Sequence, residues 1–140
     1  MSLLLDTCVL SEMVKPKPDS RVSAWLSAQR PDALYISTLT LGELQKGVAK
    51  LEPCARKTYL ETFLHTDIRE GFKERILSVD PEVALAWGSI VAQLEQAGQR
   101  MPYVDSLIAA TALFYGMTLV TRNTRDMAAS GVALFNPWSD

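Results

Sequence analysis

Cysteine, histidine and surplus charge are all scarce in this chain of 140 residues, and each scarcity narrows the function. Two cysteines, Cys8 and Cys54, build no disulfide framework and have no metal-ligand spacing, so a reducing, cytoplasmic setting is expected. The one histidine, His65, lies in a segment rich in apolar residues and reads as structural or exposed. A Cys8–His65 hydrolase is therefore a weak candidate, and Cys8 reads better as a small packed hydrophobe. Lysine and arginine total 14 against 16 acids, a net charge of −2, so no global positive field advertises a nucleic-acid partner. A local basic rim would still suffice for RNA. No stretch approaches the roughly 18 apolar residues of a membrane span, so no membrane association is expected. Nothing at the N-terminus reads as a secretory leader, because a basic region is missing and Asp6 interrupts the apolar run. Repeats, low-complexity segments and linkers are absent too, and residues 1–140 read as a single domain.

What is present is alternation. Five short apolar runs, at 2–6 (SLLLD), 33–37 (ALYIS), 75–79 (RILSV), 117–121 (MTLVT) and 132–135 (VALF), read as strands. Between them lie helical segments: CVLSEMV, stopped by Pro16 and Pro18, then one capped by Asp19 or Ser20 that carries Val22, Trp25 and Leu26. Others run from Thr40 to Leu51, from Pro53 to about Arg69, and from Pro81 through Ala97. VDSLIAATALFY, from Val104 to Tyr115, is apolar almost all round and reads as a central buried helix. Strands and helices in this order predict an α/β fold, a parallel sheet with helices on both faces.

In such a sheet, ligands bind at the carboxyl ends of the strands. Asp6 ends the first run, Glu43 follows the second through STLTLGEL, Asp105 opens the apolar helix, and Asn123 and Asp126 follow the fourth in VTRNTRDM. Asp6, Asp105 and Asn123 also read as helix caps, with Asp126 favouring the same helix start as Asn123, a contribution of about 0.3–1 kcal/mol. If they converge, crowded carboxylates repel and raise one another's pKa unless a cation neutralises them. A hard octahedral ion such as Mg2+ takes oxygen ligands and keeps waters for substrate phosphates. That chemistry suits hydrolysis of a phosphodiester and needs no side-chain nucleophile.

The blocks LLLDTCVLSEM, ISTLTLGEL, MPYVDSLIAATAL, LVTRNTRDM and VALFNPW resemble the successive signatures of a PIN-domain ribonuclease. More narrowly they resemble the VapC toxins of bacterial toxin–antitoxin pairs, including the FitB-like branch, in order from residue 3 to residue 138. The resemblance implies a three-layer α/β/α sandwich with a five-stranded sheet in the order 3-2-1-4-5. It implies an Mg2+-dependent endoribonuclease, with Mn2+ as a possible substitute, whose acids fall on Asp6, Glu43 and Asp105. The family's usual fourth acid falls on Asn123, whose amide oxygen could ligate the ion or orient a water without adding charge, leaving Asp126 as a helper at most. The resemblance further implies a homodimer, a cognate protein antitoxin and an RNA substrate.

Two further readings are open on the residues. A haloacid-dehalogenase-type phosphotransferase would want a second acid where Cys8 stands. A PIN fold could also bind RNA or protein without cutting, which metal-dependent cleavage would exclude. Among the basic residues, Arg122, beside the fourth position, is the better candidate for RNA contact, with Lys15 and Lys17 in a cluster that also holds Arg21. The stripe Val83, Trp87, Ile90 and Leu94 could serve a dimer but reads more simply as core, and the closing NPW reads as a turn with a packed indole.

Overall fold

The computed structural model describes all 140 residues. Leu3–Leu5 (β1) is buried throughout and lies at the centre of a five-stranded parallel sheet in the order β3-β2-β1-β4-β5. Its neighbours are Leu34–Ser37 (β2) and Thr118–Val120 (β4); Ile76–Leu77 (β3) and Leu134–Phe135 (β5) form the edges. A central parallel strand must bury both faces, which is why three leucines in succession suit it. Leu3 and Leu5 join Val9, Leu10, Val22, Ile36, Ile68, Val120 and Trp138 on one face. Leu4 joins Ile108, Ala109, Ala112, Met117, Leu119, Met127 and Val132 on the other. These two cores make the three-layer α/β/α sandwich and bear out the predicted strand order.

Thr7–Met13 (α1), Ser20–Ala28 (α2) and Thr38–Ala49 (α3) supply the first face, joined by Ala55–Thr62 (α4), a π turn at Phe63–Ile68, and Arg69–Gly71 (α5). Pro81–Gln96 (α6) packs on Tyr103–Tyr115 (α7), which lies against the second face with Thr124–Met127 (α8). Ala109, Ala110 and Ala112 are fully buried, small side chains that bring α7 close to the sheet. Gly116 ends α7 in the left-handed region at φ +66, where only glycine is free of strain, and turns the chain into β4.

The differences from the sequence reading are local. All five strands are shorter than their apolar runs; Asp6 and Thr121, for example, each keep one ladder bond and then leave the sheet. Helix α1 starts at Thr7, and α3 at Thr38 because Ser37 caps it through Leu39 N–H. The segment expected from Pro53 begins at Ala55 and is interrupted by the π turn. Helix α7 is buried in its middle, whereas Phe114 and Tyr115 are exposed. Val83 and Leu94 of the α6 stripe are intramolecular core, and Trp87 Nε1 donates to Ser106 Oγ on α7 at 2.8 Å. The NPW turn does pack its indole: Trp138 is buried, and Asn136 Oδ1 accepts from its N–H.

Candidate active site

Parallel strands end on one edge, and the chain changes direction there between β1 and β4, the place where open α/β sheets form a crevice. Register pairs Leu5 with Val120, so the next residues, Asp6 and Thr121, leave the sheet side by side. Asp6 N–H donates to Val120 O at 2.9 Å, continuing the ladder by one bond. Its side chain is only 4% exposed and is held from both sides. Oδ1 accepts from Thr7 N–H at 2.8 Å, and Oδ2 accepts from Thr121 Oγ1 at 2.8 Å. The capping role foreseen for Asp6 is therefore real, yet one oxygen is committed to β4 rather than to the helix. A carboxylate has about four lone-pair sites, so both oxygens keep capacity for a further ligand.

Glu43 reaches the same edge from the first half of α3, and its Oε1 accepts from Thr7 Oγ1 at 2.5 Å. Asp105 stands in the first turn of α7, half-buried. The helix is preceded by Pro102 and has no side-chain cap, so Asp105 is not the capping residue, and its carboxylate accepts no hydrogen bond. Its pKa is raised, first by burial and then by the charges of Asp6, Glu43 and Asp126. A helix N-terminus favours the ionised form; burial and the three neighbouring acids outweigh that here. Asp105 thus feels the charges of three carboxylates carried by other parts of the chain at one edge of the sheet.

Asn123 is exposed at the start of α8, and its side chain makes no capping bond. Its backbone N–H donates to Thr121 Oγ1 at 3.0 Å, which leaves the amide free toward solvent. Asp126 is exposed and bears on Asp105 only through its charge. The Cys8 thiol lies 3.9 Å from Asp6 Oδ2 and 3.7 Å from Thr121 Oγ1, and burial, then Asp6, pushes its pKa up. A thiol held neutral in this way is no nucleophile. His65 is exposed and bonded to Gln45 at 2.9 Å, so no Cys–His pair exists.

Among the basic residues, Lys15 is paired with Glu12 at 2.9 Å, and Arg21 with Asp19 at 2.9 Å. Lys17 is exposed and in no ion pair. Arg122 is exposed, with its guanidinium 5.4 Å from the Trp138 ring centroid, a brace for an otherwise mobile side chain. The hydroxyls of Thr7, Thr40 and Thr121 were missed by the sequence reading. Their one signal was adjacency: Thr7 follows Asp6, Thr121 closes a strand run, and Thr40 precedes Glu43 by three residues.

The donor set suits a hard divalent cation: carboxylates, one of them unpartnered and crowded by like charge. No three His, Cys, Asp or Glu side chains are drawn around a common point. Mg2+ does not require that, since it is usually bound through one or two carboxylates and keeps several waters. A cleft of about 190 Å³ between α1, α3 and α4 opens beside Thr7 and Glu43 and is lined also by Arg56, Leu60 and Phe63. A larger cavity of about 420 Å³ lies at the turn from α6 to α7 and is lined by none of Asp6, Glu43, Asp105 and Asp126.

A sequence model of the PIN domain matches residues 3–130. The chain is 39% identical to Toxin FitB of Neisseria gonorrhoeae over 99% of both chains. It is 34% identical to VapC ribonuclease Y4jK of Sinorhizobium fredii over 97% of both. The crystal structure of FitAcB from Neisseria gonorrhoeae superposes with a TM-score of 0.93 at 38% identity, over 99% of both chains.

Proposed function

Because the chain belongs to the PIN-domain family, we propose that it is a metal-dependent endoribonuclease, the toxin of a type II toxin–antitoxin pair. The observation that carries the reading is the state of Asp105: half-buried, without a hydrogen-bond partner, and raised in pKa by burial and by Asp6, Glu43 and Asp126. Such crowding costs stability and is retained where a cation relieves it. The relatives named as a toxin and as a ribonuclease support the same activity.

Asp6, Glu43 and Asp105 would hold Mg2+, or Mn2+ in its place. When bound, that ion lowers the pKa of an attacking water and neutralises charge developing on the phosphodiester. Asp6, fixed by Thr7 and Thr121, presents its carboxylate without rearrangement. Asn123 offers an amide oxygen to orient a water, and Asp126 adds negative charge at longer range. Arg122 and Lys17 meet the RNA phosphates; Lys15 contributes less because Glu12 neutralises it.

The toxin reading brings a cognate protein antitoxin as partner and a cytoplasmic setting, which two unpaired cysteines support. No helix is long and apolar enough to cross a membrane. We also propose a homodimer, supported by Leu85 on α6 and by Tyr103, Val104, Phe114 and Tyr115 on α7, all exposed. Light scattering that finds only monomer at micromolar concentration contradicts it. The nuclease reading is tested by incubating purified protein with RNA and Mg2+. Cleavage that stops on adding chelator is expected, whereas RNA bound intact would indicate a non-catalytic PIN module.

A further inference from the structure

We propose that Thr7 is a positioning residue that ties Glu43 to Asp6; the inference rests on the metal-dependent nuclease reading above. Thr7 touches both acids, through different groups. Its backbone N–H donates to Asp6 Oδ1 at 2.8 Å, and its Oγ1 donates to Glu43 Oε1 at 2.5 Å. Thr40 Oγ1 lies 3.3 Å from Thr7 Oγ1.

The direction of these bonds follows from counting protons. A hydroxyl carries one proton, and a carboxylate only accepts. Thr7 gives its proton to Glu43, the nearer acceptor at 2.5 Å, and the fully buried Thr40 Oγ1 is the second, longer contact of the same hydroxyl in the chain Thr40–Thr7–Glu43.

The other acids do not depend on this chain. Asp6 is held by a backbone N–H and by Thr121, and Asp105 is short and set by the first turn of α7. Glu43 is longer, has more rotamers to lose, and makes its one hydrogen bond to Thr7. A threonine at a helix start ordinarily bonds its own backbone. The Thr7 hydroxyl instead reaches 36 residues along the chain to α3. That use of the hydroxyl is what a capping role does not explain.

The test is calorimetric titration of the purified full chain with Mn2+ alone, for wild type, Thr7→Val, Thr7→Ser and Asp105→Asn. Valine keeps the branched shape and removes the proton, and serine keeps the proton. Partners of metal-binding side chains typically alter affinity by about 10–100-fold, and that loss is expected for Thr7→Val, with Thr7→Ser close to wild type. Cleavage by Thr7→Val should recover at high Mn2+, so that the metal requirement rises while the saturated rate stays near wild type. A role in folding alone would lower the melting temperature and leave Mn2+ affinity unchanged. Wild-type affinity in Thr7→Val, or Thr7→Ser as weak as Thr7→Val, overturns the proposal. If valine at position 7 prevents folding, Thr7→Ala against Thr7→Ser makes the same comparison with the same outcomes. Wild type that binds no Mn2+ removes the nuclease reading as well; wild type that binds and cleaves beside an unaltered Thr7→Val removes only this inference.

Discussion

Replacing Thr121 with valine removes one hydroxyl from the joint between β1 and β4 and changes the volume little. That hydroxyl is fully buried, donates to Asp6 Oδ2 at 2.8 Å and accepts from Asn123 N–H at 3.0 Å. A hydrogen bond to a charged group contributes about 1.5–3 kcal/mol, and one between neutral groups about 0.5–1.5 kcal/mol. Asn123 is exposed, so its N–H can turn to water once the hydroxyl is gone. Asp6 is not, and the Cys8 thiol 3.9 Å away is too weak a donor to replace Thr121. The Asp6 bond therefore sets the magnitude, about 2–3 kcal/mol. An unfolding entropy of about 2.1 cal/mol/K per residue makes each kcal/mol about 3 °C for a chain of this length, so Tm should fall by roughly 6–10 °C. Urea and thermal unfolding in the presence of chelator measure this, and a double-mutant cycle with Asp6→Ala should return a coupling of at least about 1 kcal/mol. Stability within about 0.5 kcal/mol of wild type, or an equal loss in the Asp6→Ala background, refutes the reasoning.

Three further outcomes follow from the same edge of the sheet. Asp105 has its pKa raised above 3.8 in the folded chain, so the folded state holds the proton more tightly. The resulting stability is full below the unfolded pKa and is lost as pH rises through the folded one. In chelator, Asp105→Asn should lose less stability than wild type as pH rises from about 4, and parallel unfolding curves would contradict the crowding. Millimolar Mg2+ should raise the Tm of wild type more than that of Asp6→Asn, since an ion at 100 times its Kd adds about 2.7 kcal/mol when it binds only the native state; equal shifts in calorimetry would remove Asp6 as a ligand. Asn123→Asp should tighten metal binding, and Asp126→Asn should cost less cleavage than Asp105→Asn. A folded Asp126→Asn as inactive as Asp105→Asn would make Asp126 the fourth ligand instead.

The architecture was legible because burial leaves a one-dimensional trace. Leu3, Leu4 and Leu5 face opposite cores in turn, and only a central parallel strand needs three apolar residues in a row. That Asp6 and Glu43 both reach Thr7, and that Asp105 lies within reach of their charges, was legible for a related reason: each comes soon after a strand or opens a helix, and parallel strands end on one side. The hydroxyl network was not legible. Thr121 and Asp6 are 115 residues apart, and only the register of Leu5 with Val120 makes them neighbours. The ion pairs within the Lys15–Arg21 cluster were not legible either, because a run of basic residues looks free in sequence. Buried Glu12 accepts from both Lys15 Nζ and Asp19 N–H, which pins the α1–α2 connection and partly neutralises Lys15. Its pKa is lowered chiefly by Lys15, then by the Asp19 N–H.

The most direct measurement of the central claim is single-turnover RNA cleavage by purified wild type and Asp105→Asn at saturating Mg2+, with folding of both verified by circular dichroism. Asparagine keeps the volume and removes the charge. The account predicts a folded variant slowed by at least about 10²-fold, together with wild-type cleavage abolished by chelator. Cleavage by Asp105→Asn at the wild-type rate, or wild-type cleavage that persists in chelator, would contradict it.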